Sequence, residues 1–116
     1  EMRDGKPVLI KEPKLEFVND KDGKPIAIHR HIGRRPLAAF GNSDGDEAML
    51  EWTTVGRSPS LGLIVHHTDA QREYAYDENP QSSGRLKTAL AAAKKRGWIV
   101  VDMAKDWNQL FAKPSL

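Results

Sequence analysis

Cysteine is absent from the 116 residues, so disulfide bonds and cysteine-ligated zinc are excluded. No apolar stretch approaches the roughly 18 residues that a membrane-spanning helix needs, so no membrane partner is expected. The excess of basic over acidic residues is also small, because the chain has 18 basic and 16 acidic residues and contains no run of five like charges. The sequence therefore predicts no nucleic-acid partner.

Three short apolar runs dominate the hydrophobic pattern and predict β-strands. They cover residues 37–40, 61–65 and 98–101, and unbroken apolar runs are typical of strands that are buried on both faces. Helical patterns separate them along the chain. The sequence therefore predicts an α/β fold with a mainly parallel sheet and helices on both of its faces.

The N-terminal part has a different pattern. Two short extended runs on either side of Pro13, within residues 8–19, predict a β-hairpin or two edge strands. A cluster of turn-forming residues at 20–23 follows them. We therefore expect one domain, with a hairpin or edge region over 1–22 and an α/β core portion over 23–116.

Four helices are predicted from capping residues and apolar spacing. The first begins at Pro25 and ends at Gly33, and a second follows the loop of residues 41–46. A third covers residues 86–93, and a last one begins at Asp102. The side chains expected to face the core from these elements are Ile26, Ile28, Ile32, Met49, Trp52, Trp98, Met103, Trp107, Leu110 and Phe111.

The polar loop at residues 41–46 carries the strongest functional signal. Ligands bind at the carboxyl ends of the strands in sheets of this kind, and Asn42, Asp44 and Asp46 directly follow a predicted strand. Oxygen atoms of these side chains suit a hard cation such as Mg²⁺. The structural alternative is that Asp44 caps the next helix and that Asp46 is a solvated acid in its first turn. Spacing alone leaves both interpretations open.

Several segments spread over nearly the whole chain resemble one known superfamily. They are Gly23-Lys24-Pro25, Ile32-Gly33-Arg34-Arg35-Pro36, Ala39-Phe40-Gly41-Asn42-Ser43-Asp44-Gly45-Asp46, His66-His67-Thr68-Asp69, Arg72-Glu73-Tyr74-Ala75-Tyr76 and Trp98-Ile99-Val100-Val101-Asp102-Met103. Together they resemble the phosphoserine-phosphatase-like bacterial branch of the haloacid-dehalogenase-like (HAD) superfamily. In that superfamily a lysine, motif III, precedes an apolar strand that is followed by Gly-Asp-x-x-x-Asp, motif IV. The resemblance implies a partial Rossmann-like HAD core.

The resemblance also implies a Mg²⁺-dependent hydrolase of phosphate monoesters, acting on a phosphorylated small molecule. In the family an aspartate forms an aspartyl-phosphate, a second aspartate two residues later serves as acid and base, and Mg²⁺ and the lysine neutralise the charge. It implies that Lys24 is this lysine. It implies that Asn42 and Asp46 hold the metal ion, with Asp44 nearby. Asp46 is expected either to ligate the metal through a water molecule or to orient Lys24. Ser43 is then an expected phosphate contact. Relatives in this branch point to a periplasmic or a cytoplasmic location in bacteria.

Two departures from the family pattern affect this expectation. Asn42 stands where the superfamily has Asp, so one negative charge is lost at the metal. The nucleophile segment Asp-x-Asp-x-Thr is absent, because residues 20–24 match only its start and read as a turn. We therefore expect the C-terminal portion of the enzyme, with the nucleophile outside these residues. Strands that lack their neighbour leave a free sheet edge, which predicts a homodimer. The alternative is a non-catalytic α/β binding or interaction module.

The four histidines permit two further hypotheses. His29 and His31 do not share a helix face, so a zinc site there is disfavoured against surface positions. His66 and His67 follow a predicted strand and are expected beside the active-site loop. One of them is expected to contact the phosphate or its leaving group. The alternative is a packing or hydrogen-bonding role at the end of the strand.

Two pairs of neighbouring charged residues complete the candidates. Arg34 and Arg35 precede a proline and are expected to form a solvated connection. Arg72 and its neighbour Glu73 fit either an exposed ion pair or a support for the active-site loop. The sequence does not decide between these two roles.

Overall fold

The structure is a computed structural model and describes residues 1–75 and 84–111. In chain order its elements are β1 (Met2–Arg3), β2 (Lys6–Pro7), α1 (Gly23–Ile32), β3 (Ala38–Gly41), a short 3₁₀ turn (Asp44–Asp46), α2 (Glu47–Thr54), β4 (Leu61–His66), α3 (Thr88–Arg96) and β5 (Ile99–Asp102). Within the described ranges, every helix is too short or too polar to cross a lipid bilayer.

The central sheet is parallel, as the sequence predicts. Its strand order is β3-β4-β5. Ile64 in the middle strand lies opposite Gly41 on one side and Val100 on the other. Because all three strands run in one direction, their carboxyl ends meet at a single edge, where the polar loops after each strand are brought together.

The hydrophobic core lies on one face of this sheet. Helices α2 and α3 both pack there, so the small side chains of α3 and the larger ones of α2 share one cluster with the sheet. Its buried members are Ala39, Leu50, Ile64, Leu86, Ala89, Ala93 and Trp98. Thr53, also fully buried, bonds its hydroxyl to the carbonyl of Met49.

The opposite face of the sheet is exposed, contrary to the prediction of strands buried on both faces. Alternate residues of a strand point to opposite faces. Phe40 is 59% exposed and Ile99 is 50% exposed, while Leu63 between them is half-buried. The prediction fails because α2 and α3, the described helices in contact with the sheet, cover the same face.

The glycine caps of α1 and α3 are confirmed. Gly33 and Gly97 adopt φ of 76° and 68°, the left-handed conformation that ends a helix. Helix α1 starts at Gly23, two residues before the predicted start at Pro25, so Pro25 lies in the first turn of the helix. The predicted apolar face of α1 is not a core face, because Ile26 and Ile32 are 51% and 64% exposed.

An N-terminal hairpin is present, but it is not at residues 8–19. It pairs Met2 with Pro7 around a turn at Asp4 and Gly5, whose φ values are 50° and 74°. Aspartate and glycine tolerate this conformation better than other residues, which explains the position of the turn. Residues 8–19 contain no strand.

The last predicted helix is also wrong over the described residues. After Asp102 the chain makes a single turn, in which the Asp102 carboxylate accepts hydrogen bonds from the amides of Ala104 and Lys105. A side chain that bonds to the following amides in this way competes with helix formation. Trp107 and Phe111, expected in the core, are 47% and 85% exposed.

Arg35 does more than the predicted solvated connection. Its guanidinium donates to the carbonyls of Trp52 and Val55, both at 2.6 Å. These carbonyls belong to the C-terminal turn of α2, where helix carbonyls lack partners within the helix. Arg35 therefore fixes the segment before β3 to the end of α2.

The contact between Gly62 and Trp98 gives a test of the core. A Cβ atom on Gly62 would lie 2.6 Å from Cδ1 of the indole ring. The ring is buried and its Nε1 donates to Thr54 at 2.9 Å, so it has little room to move. We expect Gly62→Ala to lower the free energy of unfolding by about 1–3 kcal/mol in urea titrations. The same substitution in a Trp98→Leu background should cost much less, and an equal cost in both backgrounds would contradict the packing described.

Candidate active site

The functional site is centred on an ion pair between the start of α1 and the loop after β3. The ammonium group of Lys24 donates to Oδ1 of Asp46. The Asp46 side chain is only 7% exposed and that of Lys24 is 26% exposed. The predicted contact, in which Asp46 orients Lys24, is therefore present at the carboxyl end of the sheet.

The second oxygen of Asp46 holds the loop. Oδ2 accepts hydrogen bonds from the amides of Asn42 and Ser43, at 3.0 and 3.1 Å, and from the Ser43 hydroxyl at 3.1 Å. The carboxylate lies so close to the strand end that a Cβ atom on Gly41 would be 2.5 Å from the Cβ of Asp46. A glycine at the end of β3 is thus a steric requirement of the site.

The electrostatics keep Asp46 ionised. Burial by itself raises the pKa of the Asp46 carboxyl. The hydrogen bond and the charge of Lys24, together with the hydrogen bonds from Asn42 and Ser43, outweigh burial and bring the pKa below its ordinary 3.8. At neutral pH the site therefore contains a fixed carboxylate and a fixed ammonium group.

Asp44 has a role that the sequence did not reveal. The expectation that it caps the next helix is wrong, because its Oδ1 accepts from the amides of Lys87 and Ala89 at 2.8 and 3.0 Å. Its own amide donates to the carbonyl of Arg85 at 2.7 Å. Asp44 therefore caps the N-terminus of α3, more than forty residues away, and no local spacing rule could have found this pair.

A cleft of about 1020 Å³ opens beside the loop. The turn at residues 20–22 forms one wall, and a Cβ atom on Gly45 would lie 2.6 Å from Oδ1 of Asp20. The sequence predicted a turn here but no contact between this turn and the loop. The remaining lining residues are Asn42, Ser43, Asp44, Glu47, Ala48, Glu51, Gly84, Arg85 and Thr88.

The predicted metal ligands do not form a metal site by themselves. Both oxygens of Asp46 are occupied, and Oδ1 of Asp44 holds α3. Among residues 1–75 and 84–111, no group of three or more His, Asp or Glu side chains is arranged to hold an ion. The exposed Asn42 contributes a neutral amide, so the described residues do not fit Mg²⁺ without a further carboxylate.

His66 and His67 lie at the end of the neighbouring strand β4. The carbonyl of His66 accepts the amide of Met103 at 3.1 Å, and Nδ1 of His67 lies 2.5 Å from Oε2 of Glu73. The pair of His67 with Glu73 supports the loop that follows β4. The exposed His29 and His31 belong to no metal group in the described part of the chain.

The same loop is fixed to β5 by charged and polar groups. Arg72 pairs with Asp69 and donates to the carbonyl of Met103 at 2.7 Å. The hydroxyl of Thr68 donates to Asp102 at 2.5 Å and, together with Lys105, lowers the pKa of Asp102 to about 2. Arg72 and Glu73 thus bond to different partners, Asp69 and His67, within the segment that follows β4. Support of the active-site loop by this pair stays a prediction.

The Asp46 pair predicts a specific acid sensitivity. The pKa of Asp46 is lower in the folded state than in the unfolded state, so its stabilisation is complete above about pH 4 and is lost as pH falls further. We expect Asp46→Asn to lower the unfolding free energy at pH 7 by about 1–3 kcal/mol and to flatten its decline between about pH 4 and 2. Urea unfolding followed by circular dichroism measures both. The decline should flatten without vanishing, because Asp102 remains.

Asp4→Asn, in an exposed turn, is the matched control and should leave the pH profile unchanged. If the unfolding free energy of Asp46→Asn falls with pH in parallel with that of the parent chain, the pair with Lys24 contributes nothing to the acid sensitivity.

Comparison with known proteins adds no family assignment: no family model matches the chain, and neither does any curated protein.

Proposed function

We propose that this chain supplies the lysine and the acidic loop of a Mg²⁺-dependent, HAD-type phosphohydrolase, whose nucleophile lies outside these 116 residues. The observation that carries the proposal is the ion pair of Lys24 with Asp46 at the carboxyl end of β3. The two residues are 22 positions apart, and the motif resemblance alone predicted that they would meet.

The geometry suits the stabilisation of a phosphoryl group. Asp46 uses one oxygen to hold Lys24 and the other to hold the amides of Asn42 and Ser43. A pre-oriented ammonium group stabilises developing negative charge without reorganising during the reaction. Lys24 has further N–H groups beyond the one given to Asp46. It therefore remains able to donate to a phosphate oxygen that is held beside the loop of residues 42–46.

Mg²⁺ enters the proposal with a condition. Since the described carboxylates are committed to Lys24, to the loop and to α3, a carboxylate from the nucleophile segment has to complete the ligand set. Mg²⁺ commonly takes one or two protein carboxylates and leaves its other positions to water and phosphate. When bound, it would withdraw charge from a phosphoryl oxygen.

A non-catalytic α/β module remains the second candidate. The observation that favours it is the absence, within the described residues, of a formed metal group beside the loop. In that case the Lys24–Asp46 pair stabilises the fold and has no catalytic role. The two candidates differ in whether the reading frame upstream of Glu1 encodes Asp-x-Asp-x-Thr.

The test uses the product of the complete reading frame that encodes these residues. We expect it to hydrolyse p-nitrophenyl phosphate in the presence of Mg²⁺. Lys24→Met should lower kcat/KM by about 10²–10³-fold, because the fixed positive charge is lost. Residues 1–116 alone should show only background hydrolysis. Lys95→Met, an exposed lysine in the last turn of α3, is the matched control.

Two outcomes would overturn the proposal. The first is a complete gene product that folds but has no Mg²⁺-dependent activity, which selects the non-catalytic module. The second is turnover by residues 1–116 alone that is abolished by replacing Asp20 or Asp22, which would place the nucleophile in the turn beside Gly45. Thermal unfolding of Lys24→Met separates lost catalysis from lost folding.

The free edge of the sheet leads to the proposal of a homodimer. β3 is an edge strand of the three-stranded sheet, and Leu37 and Phe40 beside this edge are 61% and 59% exposed. Exposed strand edges pair with other chains when nothing covers them.

Light scattering should give twice the 13.0 kDa chain mass, and Phe40→Lys should shift the measured mass toward that of the monomer. Ile32→Lys, equally exposed but on α1, should not; a parent chain that stays monomeric at high concentration contradicts the proposal.

A further inference from the structure

A second cavity, which shares no lining residue with the cleft beside the acidic loop, lies between α1 and α2. We call it the α1 groove. Its volume is about 900 Å³. The lining residues are Pro25, Ile26, His29, Arg30, Gly33, Arg34, Arg35 and Trp52. Neither the lysine nor the loop of the proposed phosphohydrolase contributes to it.

The floor of the α1 groove is apolar and aromatic. Ile26 is 51% exposed there, and the half-buried Trp52 lies at the other side. The ring of His29 meets Trp52 edge to face, with the ring centroids 6.3 Å apart. An exposed aliphatic side chain beside an aromatic one is a suitable seat for one bulky apolar group.

The rim of the α1 groove is positively charged. Arg30, Arg34 and Arg35 line it, and none of the Asp and Glu residues within 1–75 and 84–111 does. Arg35 donates to the backbone carbonyls at the end of α2, and Arg30 lies 5.0 Å from the ring centroid of Phe17. Within the described ranges, no carboxylate forms an ion pair with any of these three arginines. No described carboxylate therefore neutralises the rim, and the exposed Arg34 and Arg30 are the guanidinium groups that an anionic ligand would meet.

We propose that the α1 groove binds a short acidic peptide segment of another protein, in which a bulky apolar residue is flanked by carboxylates. The apolar residue fits between Ile26 and Trp52, and the carboxylates meet the arginine rim, where guanidinium groups form paired hydrogen bonds. The groove follows α1 for about 12 Å, from Pro25 to Gly33. An extended segment of about four residues covers this length.

The test is a titration of the ¹⁵N-labelled chain with the peptide Glu-Glu-Phe-Leu-Glu-Glu, followed by NMR. Amide shifts are expected at Ile26, His29 and Gly33 and in the indole N–H of Trp52, with Phe40 unaffected. The peptides Gln-Gln-Phe-Leu-Gln-Gln and Glu-Glu-Gly-Ser-Glu-Glu, which lack the charge or the anchor, should each bind at least about tenfold more weakly. Raising the salt from about 0.05 to 0.5 M should weaken the binding of the acidic peptide.

Surface variants keep the test independent of folding. Arg34→Glu and Ile26→Glu change exposed side chains and should each weaken binding about three- to tenfold. Ile32→Glu, on α1 but outside the groove, is the matched control and should bind as the parent does.

Four results would overturn the proposal. Three of them are equal binding of the uncharged peptide, shifts confined to the exposed sheet face around Phe40, and shifts in the groove that grow with the concentration of the chain alone. The last would identify a second copy as the occupant. Binding to phosphatidylserine vesicles through Arg34, without binding of the peptide, would identify a lipid surface in its place.

Discussion

The candidate site depends on the ion pair and the hydrogen bonds that the Asp46 carboxylate makes. One of its oxygens holds the Lys24 ammonium group of α1, and the other holds the loop that follows β3. A buried carboxylate is unfavourable unless its charge and its lone pairs are satisfied. Here the burial that raises its pKa is outweighed by the groups it binds. The site is therefore assembled by the same contacts that make Asp46 tolerable in the interior.

The packing of helices on only one face of the sheet determines which of its apolar side chains stay exposed. Because α2 and α3 share one face, Phe40 and Ile99 on the other face remain exposed. A chain with 116 residues buries a smaller fraction of its surface than a large domain does. An uncovered face of this kind is available to a second chain or to a further part of the protein, and the homodimer proposal starts from it.

Local patterns in the sequence were sufficient for most elements. The apolar runs located the three strands, and Gly33 and Gly97 marked the ends of two helices, because these features depend on near neighbours. The exposure of Phe40 could not be predicted, since an apolar residue reads the same whether or not a partner covers it. The last helix failed because the Asp102 carboxylate bonds the amides of the following turn.

For the site, the sequence predicted the partners but not all of the connections. The resemblance to the HAD motifs implied that Asp46 and Lys24 would meet. It did not anticipate that Asp20 lies beside Gly45, or that Arg35 holds the end of α2, because each contact joins segments whose separation no periodic rule describes. Such contacts are set by tertiary packing, which a single sequence leaves open.

The bond network of Asp44 has a consequence for the motions of the protein. This residue is adjacent to the loop held by Asp46, yet its carboxylate closes the first turn of α3. When the loop opens, α3 loses its cap, and when α3 frays, the loop loses an anchor. The two segments therefore form one cooperative unit. Their amides should therefore open together, and a molecule bound in the cleft, which Thr88 of α3 also lines, would slow the opening of the loop and the fraying of the helix alike.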